Sequence, residues 1–89
     1  MQTMKIDFIV NPNSGKGKHQ ITQSDIQNWL GDQYNLTVHY TTHQYHAKQL
    51  VKDAIATNPD IIVACGGDGT INEVASAMIG HSIPLGIIP

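Results

Sequence analysis

Cysteine is almost missing from this chain: Cys65 is the only one. That excludes an intramolecular disulfide framework and fits a reducing compartment. Charge is scarce as well, and the formal net charge is -2. The chain therefore has no general basic footprint, and nucleic acid is not expected as a partner. Lys16 and Lys18 form one local basic spot. No apolar run approaches the ~18 residues of a membrane span. The apolar run near the N-terminus is short and meets Asn11-Pro12 at once, so no signal peptide is expected. These absences predict a cytoplasmic protein. A Walker loop is also missing, because Gly-x-x-x-x-Gly-Lys-Ser/Thr does not occur. The dinucleotide fingerprint fails too: after Gly67-x-Gly69, Asn72 holds the third glycine's place, and after Gly15-x-Gly17, Gln20 does. His39, His43 and His46 have no cysteine or carboxylate cluster to complete a structural zinc site, and read as surface or capping residues.

What is present is an alternation of strand and helix patterns. "KIDFIVN", Lys5 to Asn11, reads as a mostly buried strand rich in Ile, Val and Phe. A short helix is expected from about Ser24 to Leu30, with Ser24 as N-cap and Ile26, Trp29 and Leu30 on one apolar face. "NLTVHYT", Asn35 to Thr41, alternates: Leu36, Val38 and Tyr40 take one side, Thr37, His39 and Thr41 the other. A second helix spans about Gln44 to Thr57, with Ala47, Leu50, Val51, Ala54 and Ile55 as its stripe. Asn58-Pro59 ends it. "DIIVAC" is a continuous apolar run, as expected of a strand covered on both faces, and Cys65 in it reads as inert packing. A third helix is expected from about Thr70 to Ile79, closed by Gly80. "IPLGIIP" gives a fourth strand.

The order β-α-β-α-β-α-β predicts a three-layer α/β/α domain with a mostly parallel sheet. Eighty-nine residues make one small domain. Right-handed crossovers bring the strand-to-helix loops to one sheet edge, where ligands of such sheets bind. Three segments should meet there: Asn11 to Lys18, Thr41 to His46, and Gly66 to Thr70. The final apolar strand ends where another loop should begin, so the chain reads as part of a longer protein.

"ACGGDGTINEV" holds the densest signal. Glycines before a helix let a phosphate approach its unpaired N–H groups, which carry partial positive charge. A plain tight turn with positive φ is the alternative reading of Gly66, Gly67 and Gly69. Asp68 would repel bound phosphate unless a cation lies between, and magnesium bridges carboxylate and phosphate oxygens. It also reads as a turn or capping aspartate. Thr70 and Glu73 fit a capping box. In the first loop Asn11, Asn13, Ser14 and Gly15 offer short polar groups and bare backbone, with Lys16 and Lys18 able to balance charge. Taken in isolation, an ordinary Asn-Pro turn with solvated lysines is the preferred reading.

"IVNPNSGKGK", then "GGDGTINEV", then "LGIIP" together resemble the catalytic domain of the diacylglycerol kinase family. That family includes bacterial lipid kinases, sphingosine kinases and ceramide kinases. The resemblance runs from Ile6 to Pro89. Gly-Gly-Asp-Gly-Thr alone is shared with NAD kinases and, in a close relative, phosphofructokinases. The Asn-Pro-x-Ser-Gly loop and the Ile-Asn-Glu continuation favour the lipid kinases. "YHA", Tyr45 to Ala47, stands where many bacterial members have Gly-Asp-Ala.

The resemblance implies an ATP site. Asn11, Pro12, Asn13, Ser14 and Gly15 match the first nucleotide loop. Thr41, with Thr42 as fallback, matches a threonine near the nucleotide. Gly66, Gly67, Asp68, Gly69 and Thr70 match the phosphate loop, extended by Ile71, Asn72 and Glu73. Asp68 is the candidate catalytic and metal-linked residue, acting through Mg²⁺ on ATP. Residues 1–89 would be the N-terminal, nucleotide-binding part of an NAD kinase/phosphofructokinase-like fold. The β-rich second domain, with most of the lipid site and the general base, would lie outside the chain. The expected full reaction moves the γ-phosphoryl group of ATP to a lipid hydroxyl such as that of diacylglycerol, at the membrane surface. The 89-residue piece alone is expected to be inactive. An NAD kinase-type enzyme and a non-catalytic nucleotide-binding module are the alternatives, and a homodimer is left open.

Overall fold

A computed structural model describes residues 3–12 and 22–89. Its elements run β1 (Lys5–Val10), α1 (Gln23–Leu30), β2 (Asn35–Tyr40), α2 (His46–Ile55), β3 (Ile61–Cys65), α3 (Asp68–Ala77) and β4 (Leu85–Ile88). The four strands form one sheet in the order β2-β1-β3-β4. Every pairing is parallel, with Phe8 opposite both Val38 and Val63, and Ile62 opposite Leu85.

Strand alternation sends side chains to two apolar clusters. Ile9, Ile62 and Ala64 pack against Ala47, Val51 and Ala54 of α2 and Val74 of α3. Ile6, Phe8, Val10 and Cys65 point the other way, toward Ile26 of α1. Helices therefore cover both faces, which makes the expected three layers. The side follows from handedness: α1 leads from β1 to β2, while α2 and α3 lead in the opposite direction along the sheet. The change of direction falls between β1 and β3. That is the topological switch point, where a crevice opens beyond the carboxyl ends of the strands.

Local chemistry shifts some helix boundaries from the sequence pattern. The N-cap of α1 is Thr22, not Ser24. Its hydroxyl accepts from the Asp25 N–H (3.1 Å), and the Asp25 carboxylate accepts from the Thr22 N–H (3.0 Å). Trp29 does not join the core; it is 61% exposed at the end of that short helix. Helix α2 begins at His46, after Tyr45 turns the chain with φ 66°. Helix α3 begins two residues before the expected Thr70, with Gly67 as N-cap and no side-chain cap. The Thr70–Glu73 capping box is therefore not formed. Among the described residues, no helix is long and apolar enough to cross a membrane.

Candidate functional site at the carboxyl edge of the sheet

The residues that leave β1 and β3 are stitched together across the switch point. The Asn11 N–H donates to the Cys65 carbonyl (3.0 Å), and Asn11 Nδ2 donates to Thr70 Oγ1 (3.2 Å). Thr70 is buried although polar. On the other flank the Thr41 N–H donates to the Val10 carbonyl (2.9 Å). These bonds fix the ends of the three strand-to-helix connections relative to one another. Between them lies a cleft of about 240 Å³, whose walls include Asn11, Thr41, Tyr45, Gly69, Thr70 and Glu73. His43, Gln44 and Ala47 complete its lining.

Gly66 is the tight point of the turn. Its φ is +155°, and a Cβ there would sit 3.1 Å from Thr70 Cβ and 3.3 Å from Asn11 Cβ. Gly67 and Gly69 differ: a Cβ at either would meet nothing within 4 Å. The space beside their backbone is open at the mouth of α3, where the first N–H groups lack intrahelical partners and carry partial positive charge. The plain-turn reading thus accounts for Gly66. Packing gives no reason for Gly67 or Gly69.

Asp68 is the first residue of α3 and is exposed. A carboxylate in a first helical turn interacts favourably with the helix dipole, so its position has a structural account as well. Glu73 lines the cleft, but its carboxylate accepts from the Lys48 N–H (2.8 Å). It thus caps α2, the neighbouring helix, rather than its own. Ile71 packs against the α2/α3 core, and Asn72 is exposed on α3. Thr41 lines the cleft, whereas the Thr42 N–H is engaged by His46 Nδ1 (2.9 Å). Pro12 follows Asn11 at the loop entrance. Asn13, Ser14, Gly15, Lys16 and Lys18 lie outside the described residues.

Three cleft residues, His43, Gln44 and Tyr45, had no nucleotide role in the sequence reading. Their signal was the expected meeting of the Thr41 to His46 segment with the other loops at this edge, and for Tyr45 also the departure "YHA" from the family's Gly-Asp-Ala. Cys65 is buried under the switch point, and burial pushes its thiol up to about 11. It packs; it is not a nucleophile. Among the described residues, no three His, Cys, Asp or Glu side chains gather to hold a metal ion.

Fold and site thus define an open α/β domain with a cleft at its switch point. The family model for the diacylglycerol kinase catalytic domain matches residues 5–89, and the chain belongs to that family. It is 47% identical over 78 residues to a Pectobacterium atrosepticum protein named "Probable lipid kinase YegS-like", covering 88% of this chain and 26% of that one. It is 36% identical over 86 residues to the diacylglycerol kinase of Bacillus subtilis, covering 92% and 28%. A crystal structure of a diacylglycerol kinase from Bacillus anthracis superposes with a TM-score of 0.72 at 28% identity, over 100% of this chain and 34% of that one. The chain spans about a quarter of the length of these curated relatives.

Proposed function

We propose that residues 1–89 are the N-terminal, ATP-binding part of a lipid kinase. The intact enzyme would transfer the γ-phosphoryl group of ATP to a lipid hydroxyl such as that of diacylglycerol. One observation carries the reading. Gly69, in the first turn of α3 and with open space beside it, lines a cleft built from three strand-to-helix connections, in a chain of the diacylglycerol kinase family.

Phosphoryl transfer rests chiefly on positioning and charge stabilisation. In this reading the N–H groups around Gly67 and Gly69 receive phosphate oxygens, and the half-buried Asn11–Thr70 bond holds that turn against β1. Thr41 lines the same cleft. The donor set fits a magnesium ion held mainly by the nucleotide's own phosphates, with Asp68 the available carboxylate, and it does not fit an all-protein cage. When bound, magnesium neutralises developing phosphate charge. The lipid site and the general base belong, by family resemblance, to a β-rich second domain outside residues 1–89. Lipid access would make the intact enzyme peripheral to the membrane.

A radiometric assay with ATP, Mg²⁺ and diacylglycerol tests this. The intact protein should form phosphatidic acid, and residues 1–89 alone should not. Turnover by the 89-residue piece, or transfer to NAD instead of lipid by the intact protein, would overturn the assignment.

A further inference from the structure

Tyr45 occupies a backbone conformation that suits glycine. Its φ is 66° and its ψ is 9°, the left-handed region, where a bulky residue is a genuine outlier. It is also the N-cap of α2, a position that ordinarily takes extended backbone and a small polar side chain. No side-chain cap is made there. The strain is not repaid by packing. Tyr45 is 72% exposed and belongs to neither apolar cluster.

The rest of the turn is committed. The His46 N–H donates to the His43 carbonyl (3.2 Å), and His46 Nδ1 accepts from the Thr42 N–H (2.9 Å). His43 Nδ1 donates to the Gln44 carbonyl (3.0 Å). The two imidazoles stack on each other at 4.4 Å between centroids, and the Glu73 carboxylate holds the Lys48 N–H. Tyr45 lines the cleft with them, yet among the described residues no other ring stacks on its own. Residues held in sparsely populated backbone regions cluster at active sites and ligand clamps.

We propose that Tyr45 is the nucleobase platform of this cleft: its ring stacks on the base of the bound nucleotide, in the cleft that Gly69 also lines. It is a positioning and specificity residue, not a catalytic one. The inference rests on the ATP-site reading above. Stacking tolerates any base with a π-face, because it reads no hydrogen-bond pattern. The platform should therefore raise affinity for ATP and GTP alike and do nothing for phosphate chains without a base.

Calorimetric titration of the intact protein with Mg-ATP, Mg-GTP and Mg-tripolyphosphate tests it, using Tyr45→Gly and Tyr45→Phe. Gly accepts the backbone and removes the ring; Phe keeps the ring. Tyr45→Gly should weaken both nucleotides about tenfold and leave tripolyphosphate unchanged, while Tyr45→Phe binds like the parent. Equal losses for all three ligands, or no loss for any, would overturn the platform and leave the ATP site standing. A parent protein that binds none of them overturns both. Loss confined to binding of phosphatidylglycerol vesicles containing diacylglycerol would instead make Tyr45 a membrane contact, and would also overturn the platform.

Discussion

The two ends of the sheet use polar residues in opposite ways. At the amino end, the polar groups satisfy one another. The Lys5 N–H donates to the Asp60 carboxylate (2.7 Å), and the Asp60 N–H donates back to the Lys5 carbonyl (2.7 Å). Lys5 Nζ donates to Asp7 (2.6 Å) and to Thr57 Oγ1 (2.9 Å), and His39 Nε2, from the carboxyl half of β2, reaches back to donate to the other Asp7 oxygen (3.0 Å). Asp7, only 1% exposed, sits at the centre of this knot. At the carboxyl end the pattern reverses. The Asn11–Thr70 bond fixes the frame, but the open glycines, Asp68 and Tyr45 face solvent. One end locks strands; the other holds binding groups in readiness. Buried polar networks stabilise only when every member has a partner, and uncommitted groups persist only where water or ligand reaches them.

Substitutions at the two ends should therefore separate stability from binding. The largest effect is expected at Gly66, where frame and site coincide. Gly66→Ala puts a Cβ against Thr70 and Asn11 at positive φ, and should cost about 2–3 kcal/mol in urea denaturation together with most ATP affinity. Asp7→Ala should cost about 2 kcal/mol and leave ATP affinity unchanged per folded molecule. A loss of affinity there would break the separation.

Smaller effects have the opposite sign. Tyr45→Gly relieves left-handed strain and should raise stability by about 1 kcal/mol. Gly69→Ala fills open space within α3 and should add about 0.5–1 kcal/mol, while its new methyl group weakens ATP binding. A Gly69→Ala protein with unchanged ATP affinity would remove that glycine from the phosphate site. The last effect is confined to alkaline pH. The buried Cys65 thiol is pushed up to about 11 from 9.0, so the unfolded thiol ionises first. Stability should be full below about pH 9 and fall from there toward pH 11. Cys65→Ser should flatten that slope in denaturation midpoints measured against pH.

Much of the fold was legible because its signals are local. The apolar runs of β1 and β3 and the stripe of α2 announce themselves by periodicity, and alternation of strand with helix gives the parallel sheet. The cleft was legible for the same reason: topology alone brings Asn11, Thr41 and Thr70 to one edge. What escaped the sequence is non-local. Asp7 inside "KIDFIV" gives no hint that His39, 32 residues away, will engage it. Glu73 sits three residues after Thr70, which suggests a local cap, yet its carboxylate reaches Lys48 on another helix. Trp29 fits an apolar stripe, but it only rims a groove shared with Phe8, Val63 and Ile88 and stays largely exposed. Tyr45 has no periodic signature, because its importance lies in a backbone angle.

Amide chemical shifts test the central claim most directly. Mg-ATP added to the isotopically labelled protein should perturb the N–H signals of Gly67, Gly69, Thr70 and Asn11 most strongly, with smaller shifts at Thr41 and Tyr45. Signals of Lys5, Asp7, His39 and Asp60 should stay in place. Saturable ATP binding that leaves the Gly67–Thr70 amides unmoved would contradict the account.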